Sequence, residues 1–358
     1  MNRKREENEM KLNKTRRSTA TLLGVAFGDA MGRNTEFVYS VKEIVRRNLV
    51  VYDLPRPALV TDDTDMTRYV CRALLAVDDV ANLEHAFVEQ FIDWYDQMDS
   101  GRKPGSSCIR AVRSLIADSK HDWLSNTDPF AKGCGANMRV APVALDTRLV
   151  PDFEGVANVA QLQSAITHAH PTALAAAELT AYAIWLLRWE NFALDARLLE
   201  ALLERCDSQR GVYREDVLGD LAKYWSDRKA MAGYGRRWKP VNAKRAMQLG
   251  WDEVLGSILD VYDAYTLEDV GDDVCSYTGG GWIAEEALAG ALLAALWHPE
   301  NPVRALMRAA TTSGDSDSLA SIAGALHGAC YGYDAWPHDW YARVEFGDEL
   351  AEYGERWD

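Results

Sequence analysis

The sequence predicts an all-α protein, and three observations predict it. Apolar residues recur at spacings of three and four along most of the chain, which is the signature of helices with a buried face. The alternation of a half-buried strand is nearly absent, with RNLVVYDLP (47–55) the best candidate for extended backbone. The Gly-rich and Asp-rich stretches fall at the ends of the apolar patterns, where caps and loops belong.

In chain order, residues 1–17 carry seven Lys or Arg against three Glu and few sizeable apolar groups, so they cannot offset their own ordering entropy and read as a mobile basic arm. Ser18 suits an N-cap for TATLLGVAFGDAMG, a buried helix that ends near Gly28 or Gly32. Further helical patterns fall at about 65–77, 83–98, 107–117, 172–190, 195–205, 242–262, 283–297, 302–311 and 317–330. With no fixed-period repeat and no long linker, residues 18–358 read as one helical domain behind the arm.

Composition limits the function. Lys plus Arg number 39 against 54 Asp plus Glu, a net charge of −15, which argues against nucleic acid as the main partner. No apolar run approaches the roughly 20 residues of a membrane span. The six cysteines show no CxxC spacing and read as reduced thiols. MNRKREENEMKLNKTRRS lacks the apolar stretch of a secretory signal, so the expected compartment is the cytoplasm.

Three stretches concentrate short oxygen-bearing side chains: GDAMGRNTE with Asp29 and Glu36, TDDTDM (61–66) and GDSDS (314–318). Each adjoins an apolar helical pattern, and either of the last two could simply cap a helix. Capping needs one such residue, whereas these stretches supply four and five. Close carboxylates repel by about 4 kcal/mol per pair at an effective dielectric of about 20, so packing them side by side asks for a cation. Carboxylates with Ser and Thr hydroxyls are hard donors that suit Mg²⁺, Mn²⁺ or Ca²⁺ rather than Zn²⁺. If the motifs converge, Glu36, Asp62, Asp63, Asp315 and Asp317 together nearly match two divalent ions.

The ordered set GVAFGDAMGRNTE, TDDTDM, GCGANMRVAP, THAHPTA, GGGWIAEEALAGAL and GDSDSLASIAGALHGACYG, spread over residues 20–332, resembles the ADP-ribosylglycohydrolase family, specifically its dinitrogenase-reductase-activating type, with the arm outside the match. The resemblance implies a compact orthogonal bundle of many helices that binds two Mg²⁺ or Mn²⁺ ions. Carried over by motif, Thr61, Asp62 and Asp63 hold one ion; Asp315, Asp317 and Ser318 hold the other, with Asp317 shared and Glu36 nearby. The family's usual G-D-T-D-T reads GDSDS here. Ser318 keeps the hydroxyl but loses the methyl that restricts its rotamer, which weakens its hold.

Gly133 and Gly135 flank Cys134 in a segment where glycines allow close backbone approach, as a pyrophosphate site requires; an ordinary tight turn would read the same. The resemblance places this segment in the ADP-ribose cleft. Gly105, Ser106 and Ser107 open another helix whose N-terminus favours phosphate. His168 matches the family's histidine near ribose and phosphates, while His170, followed by Pro171, reads as shaping a turn. TGGGW with Glu285 and Glu286 resembles a second Gly-rich loop, with Trp282 either stacked on substrate or in the core. The implied reaction is hydrolysis of the N-glycosidic bond of ADP-ribosylated arginine on a protein, with Glu36, Asp63 and Asp317 as catalytic carboxylates. Two other readings stand beside it: an immunity-type protein whose arm occludes an ADP-ribosyltransferase, with or without hydrolysis, and a hydrolase of small ADP-ribosyl conjugates.

Overall fold

The computed structural model describes residues 15–225, 242–267 and 273–358. Its helices of nine or more residues are α1 (Arg17–Gly32), α2 (Asp62–Leu75), α3 (Leu83–Gln97), α4 (Ser106–Ala117), α5 (Phe153–Ala165), α6 (Pro171–Arg188), α7 (Ala196–Gln209), α8 (Ala243–Ala264), α9 (Ala284–Trp297), α10 (Pro302–Ala310), α11 (Ser316–Tyr331) and α12 (Gly347–Glu355). Among the described residues there is no strand, and β-type pairing is confined to two isolated bridges, Ala58 with Val344 and Gly133 with Ile283. The all-α expectation holds. RNLVVYDLP is irregular backbone after a short helix, Val41–Arg46. α5 and α12 were not anticipated. The sequence of α5, FEGVANVAQLQSA, buries polar Gln161, Gln163 and Ser164 among its apolar residues, which blurs a two-sided pattern.

α1 and α11 form the axis of the fold, and nearly every residue of both is buried. They run antiparallel in backbone contact. A Cβ built on Gly24 would lie 2.2 Å from the Gly324 carbonyl oxygen, one on Gly28 2.0 Å from that of Ala320, and one on Gly32 2.3 Å from that of Ser316. On the facing side a Cβ on Gly328 would lie 2.2 Å from the Ala20 oxygen. The four-residue spacing on both helices aligns these gaps into one seam, so the smooth face of α11 serves close helix packing. α6, α9 and α10 pack around this pair, and one apolar core runs through them.

Residues 1–14, most of the expected basic arm, lie outside the described residues, as does the partner-occluding role assigned to them. Arg16 and Arg17, expected at the end of that arm, are instead built into the helical fold. Arg17 is buried and donates to the carbonyl oxygens of Leu187 (3.1 Å) and Arg188 (2.9 Å); Arg16 pairs with Glu355 and stands over the Tyr333 ring. The helix begins at Arg17, so Ser18 is not its cap. The Asp358 carboxylate accepts from the Ser18 and Thr19 amides at 2.7 and 3.2 Å, closing α1 from the far end of the chain.

Candidate active site

The seam sets the site. Because α1 and α11 run antiparallel, the C-terminal end of α1 meets the N-terminal end of α11, and Glu36 is carried a few residues past α1 toward Asp315 and Asp317. Oxygens of Glu36, Asp315 and Asp317 lie within 4.8 Å of one another. α2 joins them through Asp29, whose carboxylate accepts from the Thr61 amide (2.9 Å), the Thr64 amide (3.0 Å) and the Thr64 hydroxyl (2.6 Å). Asp29 therefore caps α2 from α1, leaving Asp62 and Asp63 to face inward.

The acidic motifs divide by role. Thr61 is the N-cap residue of α2, its hydroxyl accepting from the Asp63 amide at 3.4 Å, and it sits behind the cavity wall. Asp65 turns away to pair with Arg68 at 2.7 Å. Asp315 occupies the N-cap position of α11 with no side-chain cap hydrogen bond, and Ser316 donates to the Gly32 carbonyl at 3.1 Å. Asp317 Oδ1 accepts one first-turn amide of α11, that of Ser318, at 3.0 Å. Ser318 donates to Asp63 Oδ1 at 3.4 Å, which joins the two motifs directly across 255 positions of sequence.

Asp62, Asp63, Asp315, Asp317, Ser318 and Glu36 line a cavity of about 370 Å³, together with Gly105, Ser106, Ser107, Gly133, Cys134, Gly135, His168 and Trp282. Thus every residue expected in the site reaches this cavity except Thr61. Two Gly-rich segments form one wall. The Cys134 amide donates to the Trp282 carbonyl at 3.2 Å, the Ala284 amide to the Lys132 carbonyl at 3.0 Å, and the Asp315 amide to the Gly280 carbonyl at 2.8 Å. Gly281 at φ +77° takes the left-handed backbone that lets this loop pass over Leu319. On the opposite wall the Gly105 amide, at the start of α4, donates to Asp62 Oδ2 at 3.2 Å.

Glu285 and Glu286 hold the Gly-rich wall: Glu285 pairs with Lys132, and Glu286 accepts from the Gly281 amide at 3.2 Å. His170 accepts from the Thr172 amide at 3.2 Å as the cap of α6, matching its expected turn role. Trp282 lies in the cavity wall and stacks on Phe37 at 5.4 Å between centroids.

Sequence reading missed Lys103 and Phe37. Lys103 Nζ donates to Glu36 Oε2 at 2.8 Å and to the Arg33 carbonyl at 2.7 Å, fixing the Glu36 loop. A lone lysine in SGRKPG carries no periodic signal. Phe37 was detectable only as the apolar neighbour of Glu36, and its φ of +62° is the left-handed conformation that turns it onto Trp282.

The electrostatics are those of an acidic cluster short of positive charge. Burial, then repulsion from Asp317, raises the Glu36 carboxyl to about 9. Burial first, with the neighbouring carboxylates adding to it, holds Asp62, Asp63 and Asp315 well above the ordinary range. Asp63 Oδ2 is buried with no hydrogen-bond partner. An orphaned carboxylate oxygen among crowded carboxylates, with the Ser318 hydroxyl in reach, fits a hard divalent cation. Cys134 is the soft atom of the set; its thiol donates to Asp315 Oδ2 at 3.0 Å, and all six cysteines are free.

Residues 10–357 match the ADP-ribosylglycohydrolase family. The chain is 28% identical over 306 residues to the ADP-ribosylhydrolase ARH3 of Mus musculus, covering 81% of this chain and 74% of that protein. It is 26% identical over 344 residues to the ADP-ribosylarginine hydrolase Tri1 of Pseudomonas putida (strain GB-1), covering 94% and 76%. A solved structure described as an ADP-ribosylglycohydrolase-related protein complex superposes with a TM-score of 0.60 at 21% identity, covering 96% of this chain and 98% of that one, a likeness of fold. A family match running almost the length of a chain whose acidic motifs meet in one cavity leads to one conclusion: the chain belongs to the ADP-ribosylglycohydrolase family.

Proposed function

We propose that the protein is a divalent-metal-dependent hydrolase that removes ADP-ribose from arginine side chains of a modified protein. The observation that carries this reading is the convergence of Glu36, Asp62, Asp63, Asp315, Asp317 and Ser318 on one cavity walled by two glycine segments. The arginine linkage draws its support from two relatives named as ADP-ribosylarginine hydrolases, those of Pseudomonas putida and Serratia proteamaculans.

Asp62, Asp63, Asp315, Asp317 and Ser318, with Thr61 and Glu36 beside them, would hold two Mg²⁺ or Mn²⁺ ions. Such ions supply Lewis acidity, orientation of hydroxyl groups and activation of water. The residues do the rest. Gly133 and Gly135, which flank the engaged Cys134 amide, and the start of α4 at Ser106, beyond the engaged Gly105 amide, offer backbone amides and a hydroxyl to the pyrophosphate. Carboxylates around the ribose stabilise the positive charge that develops as the bond from C1″ to nitrogen lengthens. Water adds to C1″ as that bond breaks; one water proton passes to Glu36 or Asp63 and from there to the departing nitrogen, so that arginine leaves as guanidinium.

The test is to incubate the full chain with protein ADP-ribosylated on arginine or on serine, with Mg²⁺ or with chelator, and to follow free ADP-ribose. Release from the arginine-linked substrate, abolished by chelator, is the expected result. Release from the serine-linked substrate alone would reassign the linkage, and release unaffected by chelator would remove the metal requirement.

A further inference from the structure

Behind the cavity lies a buried hydrogen-bonded chain that the proposed reaction does not use directly. Arg139, Thr167 and His168 are all at most 2% exposed. Arg139 is fixed by Gln163, donating from Nε to Oε1 at 2.9 Å and from Nη2 to the backbone oxygen at 2.8 Å, and its guanidinium lies 4.2 Å from the centre of the Phe91 ring. The same Nη2 donates to Thr167 Oγ1 at 2.8 Å, and Thr167 Oγ1 lies 2.9 Å from His168 Nδ1. On its other edge the imidazole meets the glycine segment: a Cβ built on Gly133 would lie 3.3 Å from Nε2, and one on Gly135 2.8 Å from Cε1.

We infer that Arg139 and Thr167 are positioning residues that lock His168 in the tautomer with its proton on Nε2, so that the ring presents a donor to an acceptor oxygen in the cavity. A guanidinium can only donate, so Arg139 occupies a lone pair of the threonine oxygen. The hydroxyl proton then goes to Nδ1, a stronger acceptor than the Cys108 sulfur that also lies in reach, which leaves Nε2 protonated. The ring is neutral at ordinary pH, since burial and then the Arg139 and Arg110 charges push it down to about 3. A neutral ring has one donor and one acceptor nitrogen, and the relay decides which one meets the ligand. The opposite tautomer would turn a lone pair toward the cavity and repel a phosphate or carbonyl oxygen. The identity of that ligand, ADP-ribose, rests on the function proposed above; the tautomer does not.

The test uses the full chain labelled with ¹⁵N at histidine. Ring nitrogen-to-proton correlation spectra, with His168 assigned by its loss in His168→Asn, report the tautomer directly. The expected result is Nε2–H in the unaltered protein and in Thr167→Ser, with a shift toward Nδ1–H or a mixture in Thr167→Val. ADP-ribose affinity by calorimetry is expected to fall about tenfold in Thr167→Val, to recover in Thr167→Ser, and to leave Mg²⁺ affinity unchanged. Nδ1–H in the unaltered protein overturns the inference, as does a Thr167→Val spectrum identical to it. Should Thr167→Val fail to fold, the spectra of the unaltered protein and Thr167→Ser decide. Absence of ADP-ribose binding by a protein showing Nε2–H would instead overturn the proposed function and leave the relay standing.

Discussion

At the scale of single residues, the acidic centre is arranged for a ligand and against the stability of the protein without one. Asp63 is 2% exposed, carries an oxygen with no partner, and is held above the ordinary carboxyl range by burial and by Asp317. Asp63→Asn keeps the shape and removes a charge, so in chelator this variant is expected to be more stable by about 1–3 kcal/mol, read as a higher urea midpoint. The same change should lower ADP-ribose release at least ~100-fold. A variant both less stable in chelator and fully active would refute the reading of Asp63. Glu36 adds a pH dependence. Its carboxyl rises to about 9 in the folded protein, so between the ordinary glutamate range and that pH the folded state holds a proton the unfolded chain has lost. The resulting stability is full below the ordinary glutamate range and is lost as pH rises toward the folded value. In chelator the melting temperature should therefore fall from about pH 5 to about pH 9, and fall less in Glu36→Gln.

Between elements, the seam of α1 and α11 is the feature on which the site depends, and its tolerance is narrow. A Cβ on Gly28 would lie 2.0 Å from the Ala320 oxygen and 2.2 Å from its carbon, both backbone atoms that cannot turn aside. Gly28→Ala is thus expected to cost about 3 kcal/mol or more and to reduce Mg²⁺ affinity, because separating the helices moves Asp29 and Glu36 away from Asp317. Gly256 within α8 is the contrast: nothing lies within 4 Å of its Cβ position. Gly256→Ala should raise stability by about 0.5–1 kcal/mol through helix propensity alone. Thermal melts of the two variants check both expectations, and equal effects would mean that the seam tolerates extra volume. Part of this level is visible in the sequence, where Ala320, Gly324 and Gly328 recur every four residues, the spacing of a smooth helix face. Of their partners at 24, 28 and 32, the last two read only as a helix end and Gly24 as helix interior, because facing contacts between helices leave no mark on the local sequence. The same limit hid Asp29, which looks like one more acid of its motif and caps a helix that starts 33 residues later.

Over the whole molecule, the oxygen donors of the site come from near both ends of the chain: Glu36, Asp62 and Asp63 from one side, Asp315, Asp317 and Ser318 from the other. Oxygen-rich motifs declared the chemistry in the sequence; which carboxylates turn inward did not follow from it, since Asp62 and Asp65 look alike there, and pairing with Arg68 and Arg102 turns Asp65 outward. A site assembled from distant segments exists only in the folded state, so whatever binds it stabilises the fold as a unit. Mg²⁺ at about 100 times its Kd should raise the unfolding free energy by about 2.7 kcal/mol per ion bound, with the melting temperature climbing as metal concentration climbs. The climb should vanish in Asp317→Asn, which takes the shared carboxylate from both proposed ions, and remain in Asp65→Asn, whose side chain faces away from the cavity. A melting temperature that ignores Mg²⁺ in the unaltered protein, or that responds equally in Asp317→Asn, would show that the carboxylates meet for some purpose other than holding a metal.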